Sequence, residues 1–117
     1  MTQMQEKMRQ YALTFPEAHE DNPWEHIAIK VRKKTFVFLG GHKDSAGMFS
    51  MTVKLPVSAE MAATLPYVEP AGYGLGRSGW VTVRCAAKDK ADPEMFREWI
   101  DQSYRAIAPK TLLKQLE

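Results

Sequence analysis

The chain predicts an α+β domain in which an antiparallel sheet is covered by helices on one face. Three observations carry this: hydrophobic alternation through the middle of the chain, helical spacing at both ends, and a length of 117 residues, enough for one core. The expected domain is residues 1–117 as a unit, with a three-stranded meander and one later strand.

Each element follows from local chemistry. Thr2 and Gln5 read as a capping box, and Met4, Met8, Tyr11, Ala12 and Phe15 recur at helical spacing. A first helix is therefore expected over Thr2–Thr14, ending near Phe15 because Pro16 disfavours helix in the residue before it. The acidic, proline-bracketed PEAHEDNP segment reads as loop. Ile27, Ile29 and Val31 then alternate with His26, Ala28, Lys30 and Arg32, the pattern of a half-buried strand. The run TFVFL is a second strand, joined to the first by a turn holding Lys33 and Lys34. Gly40 and Gly41 close it, KDSAG turns, and Met48–Leu55 is a third strand with Phe49, Met51, Val53 and Leu55 facing inward. Ser58 is expected to cap a short helix reaching about Leu65. A fourth strand, Trp80–Cys85, follows the glycine-rich stretch. Asp92-Pro93-Glu94 is a strong helix start, with a cap, a first-turn proline and an acid at the positive end of the dipole. Its buried stripe is Phe96, Trp99, Ile100, Ser103, Tyr104 and Ile107, and Pro109 opens a last short helix with Leu112, Leu113 and Leu116.

Composition excludes several classes. With 44% hydrophobic and 26% charged residues the chain is globular, and no apolar run approaches the roughly 18 residues a membrane span needs. The polar N-terminus does not read as a secretory signal, and a lone cysteine, Cys85, permits no internal disulfide, so a reducing cytoplasm is expected. Net charge is +2 but unevenly spread. Residues Met1–Glu25 are acidic, whereas His26–Ser58 holds six basic residues (Lys30, Arg32, Lys33, Lys34, Lys43, Lys54) against Asp44 alone.

Motifs argue mainly against catalysis. Gly74, Gly76 and Gly79 spell G-x-G-x-x-G, but a dinucleotide site needs a helix after the glycines, and here a strand follows. The stretch reads as a turn, with a backbone anion nest beside Arg77 as the other reading. His19, Glu20, Asp21, Glu25 and His26 match no metal-ligand spacing, so no metal and no cofactor are expected. Cys85 falls on the inward face of its strand, where thiols are inert packing. The basic hairpin is the positive feature. Its cations lie where phosphates are neutralised without disturbing a core; the first alternative to set against this is a solvated sheet face whose lysines discourage edge-to-edge pairing, which by itself accounts for them.

Four segments together resemble the MmcQ/YjbR-like family: F-P-E-A-H-E-D-N-P-W, I-K-V-R-K-K-T-F, G-Y-G-L-G-R-S-G-W-V-T-V and D-Q-S-Y-R. Trp80 with Thr82 and Val83, and Asp101 with Ser103 and Tyr104, are the nearest matches. Many members carry histidine and asparagine before that tryptophan, where this chain has Gly74, Gly76 and Gly79, as in a divergent branch. The resemblance implies a CyaY-like, double-wing DNA-binding-like fold and no established enzymatic activity. The expectation is therefore a non-enzymatic module that meets DNA through Lys30, Arg32, Lys33, Lys34 and Lys43, with Arg77 as a secondary contact. The alternative is a small-molecule or protein-interaction domain with a pocket around Trp24, Tyr73 and Trp80. An enzyme working in that pocket is the third.

Overall fold

Strand alternation and helix punctuation place the elements close to where the sequence puts them. The structure is a computed structural model that describes residues 3–21, 26–40, 49–72, 78–86 and 91–116. In chain order the elements are α1 (Gln3–Ala12), β1 (Ala18–Asp21), β2 (His26–Val31), β3 (Lys34–Gly40), β4 (Phe49–Lys54), α2 (Ala59–Ala62), β5 (Val68–Pro70), β6 (Trp80–Cys85), α3 (Pro93–Ile107) and α4 (Lys110–Leu113). A 3₁₀ turn over Lys114–Leu116 ends the described chain.

The six strands form one antiparallel sheet in the order β1-β2-β3-β4-β6-β5. Period-two alternation sends Ile29, Val31, Val37, Leu39, Phe49, Met51, Val53, Val81, Val83 and Cys85 into the core. Helices α1 and α3 cover that face with Met8, Ala12, Phe96, Trp99, Ile100 and Tyr104. Phe15, Phe36 and Tyr104 pack ring against ring at centroid distances of 4.7 to 6.1 Å beneath the turn end of the β2–β3 hairpin. Asp92 caps α3 as expected, its carboxylate accepting the Glu94 N–H at 3.0 Å.

Four expectations need correction. The segment read as loop contains β1, an edge strand on β2. Its residues, AHED, have no apolar alternation. Pairing and charge hold it instead, with Glu20 bonded to Arg9 of α1 at 2.6 Å and Asp21 paired with Lys30 of β2 at 3.3 Å. A second edge strand, β5, precedes the glycine-rich stretch and pairs with β6, so the sheet has six strands rather than four. Ser58 stands at the N-cap of α2 without a capping bond. Its hydroxyl accepts from the Gln102 side chain of α3 at 3.1 Å, so tertiary contact takes the group that local capping would have used. The hairpin turn holds Arg32 and Lys33, with Lys34 already in β3. Arg32 sits at φ 57°, the positive φ that two-residue hairpin turns require at their first central position.

Between β2 and β3 the register slips by one residue, since Ile29 faces Val37 while Lys30 faces Thr35. Phe36 is the extra residue of a β-bulge, which lets both Phe36 and Val37 reach the core. A bulge breaks the ladder and leaves backbone groups to satisfy. Ser103 of α3 does this, its Oγ donating to the Phe36 carbonyl at 2.6 Å and accepting the Lys54 N–H at 2.9 Å. The hydroxyl thus stands between strands β3 and β4 just where direct pairing ends at Val37 and Val53.

Candidate nucleic-acid interface

The face of the sheet turned away from α1 and α3 is set by the same alternation. Register across the strands aligns Ala28, Phe38, Thr52 and Thr82 in one row. Further toward the hairpin tip on the same face, Lys30 stands opposite Thr35 on β2 and β3, and Lys54 opposite Trp80 on β4 and β6. The Phe38 and Trp80 rings meet across β4 at 6.0 Å, tilted by 56°. The Thr52 and Thr82 hydroxyls bond at 3.1 Å. Ala28, Ser50 and Thr82 are buried on this side, so it is packed in its middle rather than uniformly solvated.

Charge on the sheet is sorted by strand. The four inner strands β2, β3, β4 and β6 carry Lys30, Lys34, Lys54 and Arg84, with no Asp or Glu among them. The carboxylates of strands lie on the two edges, as Glu20 and Asp21 of β1 and Glu69 of β5. Edge acids reach inward to some of these cations. Lys30 pairs with Asp21 at 3.3 Å, and Arg84 approaches Glu69 at 3.9 Å. At the hairpin, Arg32 pairs with Glu17 at 3.4 Å; both residues hold positive φ, and both side chains are about half exposed. Lys33 and Lys34 at the tip, and Lys54 beside Trp80, have no carboxylate within 4 Å among the described residues.

The expected site residues are therefore divided by their surroundings. Lys30, Arg32, Lys33 and Lys34 are brought together at one end of the β2–β3 hairpin. Lys43 and Arg77, and Trp24 and Tyr73 of the alternative pocket, lie outside the described residues, as do Gly74, Gly76, Glu25 and the side chain of His26. Of that pocket, Trp80 is described, half-buried against Phe38. Lys54 belongs to the basic segment, and its sequence neighbours give no sign of a site. Its place opposite Trp80 depends on β4–β6 pairing between positions far apart in sequence.

Gly79, the last glycine of the stretch, leads directly into β6, so a strand and not a helix follows it. It has φ 91°, and a Cβ there would lie 3.0 Å from the Leu55 carbonyl oxygen, while its own carbonyl accepts the Leu55 N–H at 2.7 Å. Close approach of two backbones explains this glycine without any ligand. Cys85 is buried. No group of three or more His, Cys, Asp or Glu side chains is placed to hold a metal among the described residues. Glu20 and Asp21, two of the candidate ligands, are instead engaged by Arg9 and Lys30. No helix among the described residues is long and apolar enough to cross a membrane.

On the helical side, Tyr104 donates its hydroxyl to the Pro16 carbonyl at 2.7 Å. Burial raises its pKa, with the Glu17 carboxylate adding to the shift and Arg32 opposing it. A shallow groove of about 500 Å³ runs beside α3, lined by Tyr11, Glu94, Arg97, Asp101 and Arg105. Glu98 also lines it, and four of its charges pair with one another, Arg97 with Glu94 and Arg105 with Asp101.

Comparison with curated proteins gives no match. Among solved structures, the crystal structure of the Deinococcus radiodurans protein DR2400, whose family domain is DUF419, is similar with a TM-score of 0.71. The likeness covers 95% of this chain and 86% of that one at 21% identity, which speaks for the fold. The family model described as YjbR matches residues 13–106, a span that runs from just after α1 to the last turn of α3. The chain belongs to the YjbR family.

Proposed function

We propose that the protein is a non-enzymatic cytoplasmic module that binds DNA, with the β2–β3 hairpin laid along the phosphate backbone. The observation that carries this is the hairpin tip, where Lys33 and Lys34 are exposed and have no carboxylate partner among the described residues. Phosphate contacts of this kind supply affinity without base recognition. Lys30 and Arg32 are ion-paired, but exposed pairs contribute only about 0–1 kcal/mol, so phosphate competes readily for both cations. The edge acids and the cation-only inner strands favour an anion at the hairpin and the sheet centre over one at the sheet margins.

The test is binding to duplex DNA over a salt series. Wild-type affinity is expected to fall steeply with salt, and Lys33→Glu with Lys34→Glu to weaken binding and flatten the log–log slope by about 2. Unchanged binding by that double variant would falsify the wing. The second reading, a ligand pocket, draws on the Phe38–Trp80 contact. Its signature is a ligand-induced rise in melting temperature without DNA.

A further inference from the structure

The wing reading uses the hairpin tip and leaves the Trp80 side of the sheet without a role. We infer that this face takes a single-stranded nucleic acid, with an unpaired base stacked on Trp80 and the adjoining phosphate on Lys54. The inference rests on the nucleic-acid reading above and narrows it to strands whose bases are free.

Trp80 lies on the face opposite the helices, so the main core does not account for its ring. Phe38 meets it tilted at 6.0 Å, while the indole stays half-buried rather than covered. Lys54 is its direct cross-strand partner, so ring and ammonium start about 5 Å apart at their backbones. Lys30 lies on the same face of the sheet, on β2, two strands from the β4 that carries Lys54. A strand running across the sheet thus meets cation, cation and aromatic ring in turn, with no strand carboxylate until the edges. Duplex DNA hides the faces of its bases and cannot use Trp80, whereas single strands bind by combining stacking on aromatic rings with backbone contacts to cations. The lysines by themselves suit any polyanion. The half-exposed ring beside Lys54 selects the single strand.

The test uses the full chain with a labelled oligo-dT of about 12 nucleotides and a duplex of equal length. Wild type is expected to bind the oligo-dT more tightly than the duplex. Trp80→Leu keeps an apolar contact for Phe38 but has no ring face, and is expected to lose about 5- to 150-fold in oligo-dT affinity with duplex binding unchanged. Trp80→Phe should recover most of that loss, and Lys54→Glu should weaken oligo-dT binding and flatten its salt dependence. Equal oligo-dT binding by folded Trp80→Leu and wild type overturns the inference. If Trp80→Leu does not fold, Trp80→Phe and Lys54→Glu decide: wild-type oligo-dT binding by Lys54→Glu overturns it. Salt-dependent duplex binding through Lys33 and Lys34 with no oligo-dT binding sinks this inference alone, and binding of neither sinks both.

Discussion

Ser103 shows how one side chain holds the fold's least regular point. It is fully buried and joins the Phe36 carbonyl to the Lys54 N–H across the bulge. Ser103→Ala removes both bonds and leaves two backbone groups unpaired, so we expect a loss of about 1–3 kcal/mol in urea unfolding. Neutral stability would show that backbone relaxation restores the pairing. The sequence placed Ser103 on the buried stripe of α3, and family resemblance marked it beside Tyr104. What it bonds to was not legible, because its partners lie 67 and 49 residues away. Gly79 is the opposite case. A glycine before a strand is legible in the sequence; its reason, a Leu55 carbonyl that a Cβ would meet at 3.0 Å, closer than van der Waals contact, is not.

At the scale of elements, strong local signals survived and weak ones were overridden. The Asp92-Pro93-Glu94 start formed as written because cap, proline and dipole agree with one another. Asp92→Ala is expected to cost about 1 kcal/mol and lower the melting temperature by several degrees, with Asp92→Asn close to wild type. A drop equal in both variants would place the effect elsewhere than the cap. Strand β1 is not legible in the sequence because AHED carries no periodic hydrophobic signal; it is a strand because it pairs along the edge of β2 and two cations receive its acids. Strand β5 is three residues ending in Pro70, too short to announce itself, and it forms against the edge of β6. Ser58 had a local signal, and Gln102 diverted it.

Over the whole molecule, one buried phenol and one half-buried phenol link stability to alkaline pH. Tyr104, and Tyr11 beside α3, both have pKa values raised chiefly by burial above the ordinary 10.0. A raised folded pKa means that the neutral phenol contributes stability that is complete below 10.0 and is lost as pH climbs from there through the raised values. Stability to urea should therefore hold from neutrality to about pH 9 and decline above pH 10, and Tyr104→Phe should decline less steeply from its own starting point. An identical slope in the variant would show that the Tyr104 proton is not linked to folding. The sequence by itself determined the fold class, the hairpin, the inward faces of β2, β4, β6 and α3, and the unequal charge of the two chain segments. Those depend on period, punctuation and composition, which are local. Tertiary structure decided the sheet's two edge strands, the pairing of Lys30 and Arg32 with acids of the preceding segment, and the meeting of Phe38, Lys54 and Trp80 on one face. These depend on register between strands distant in the chain, and register is set when the shared core closes.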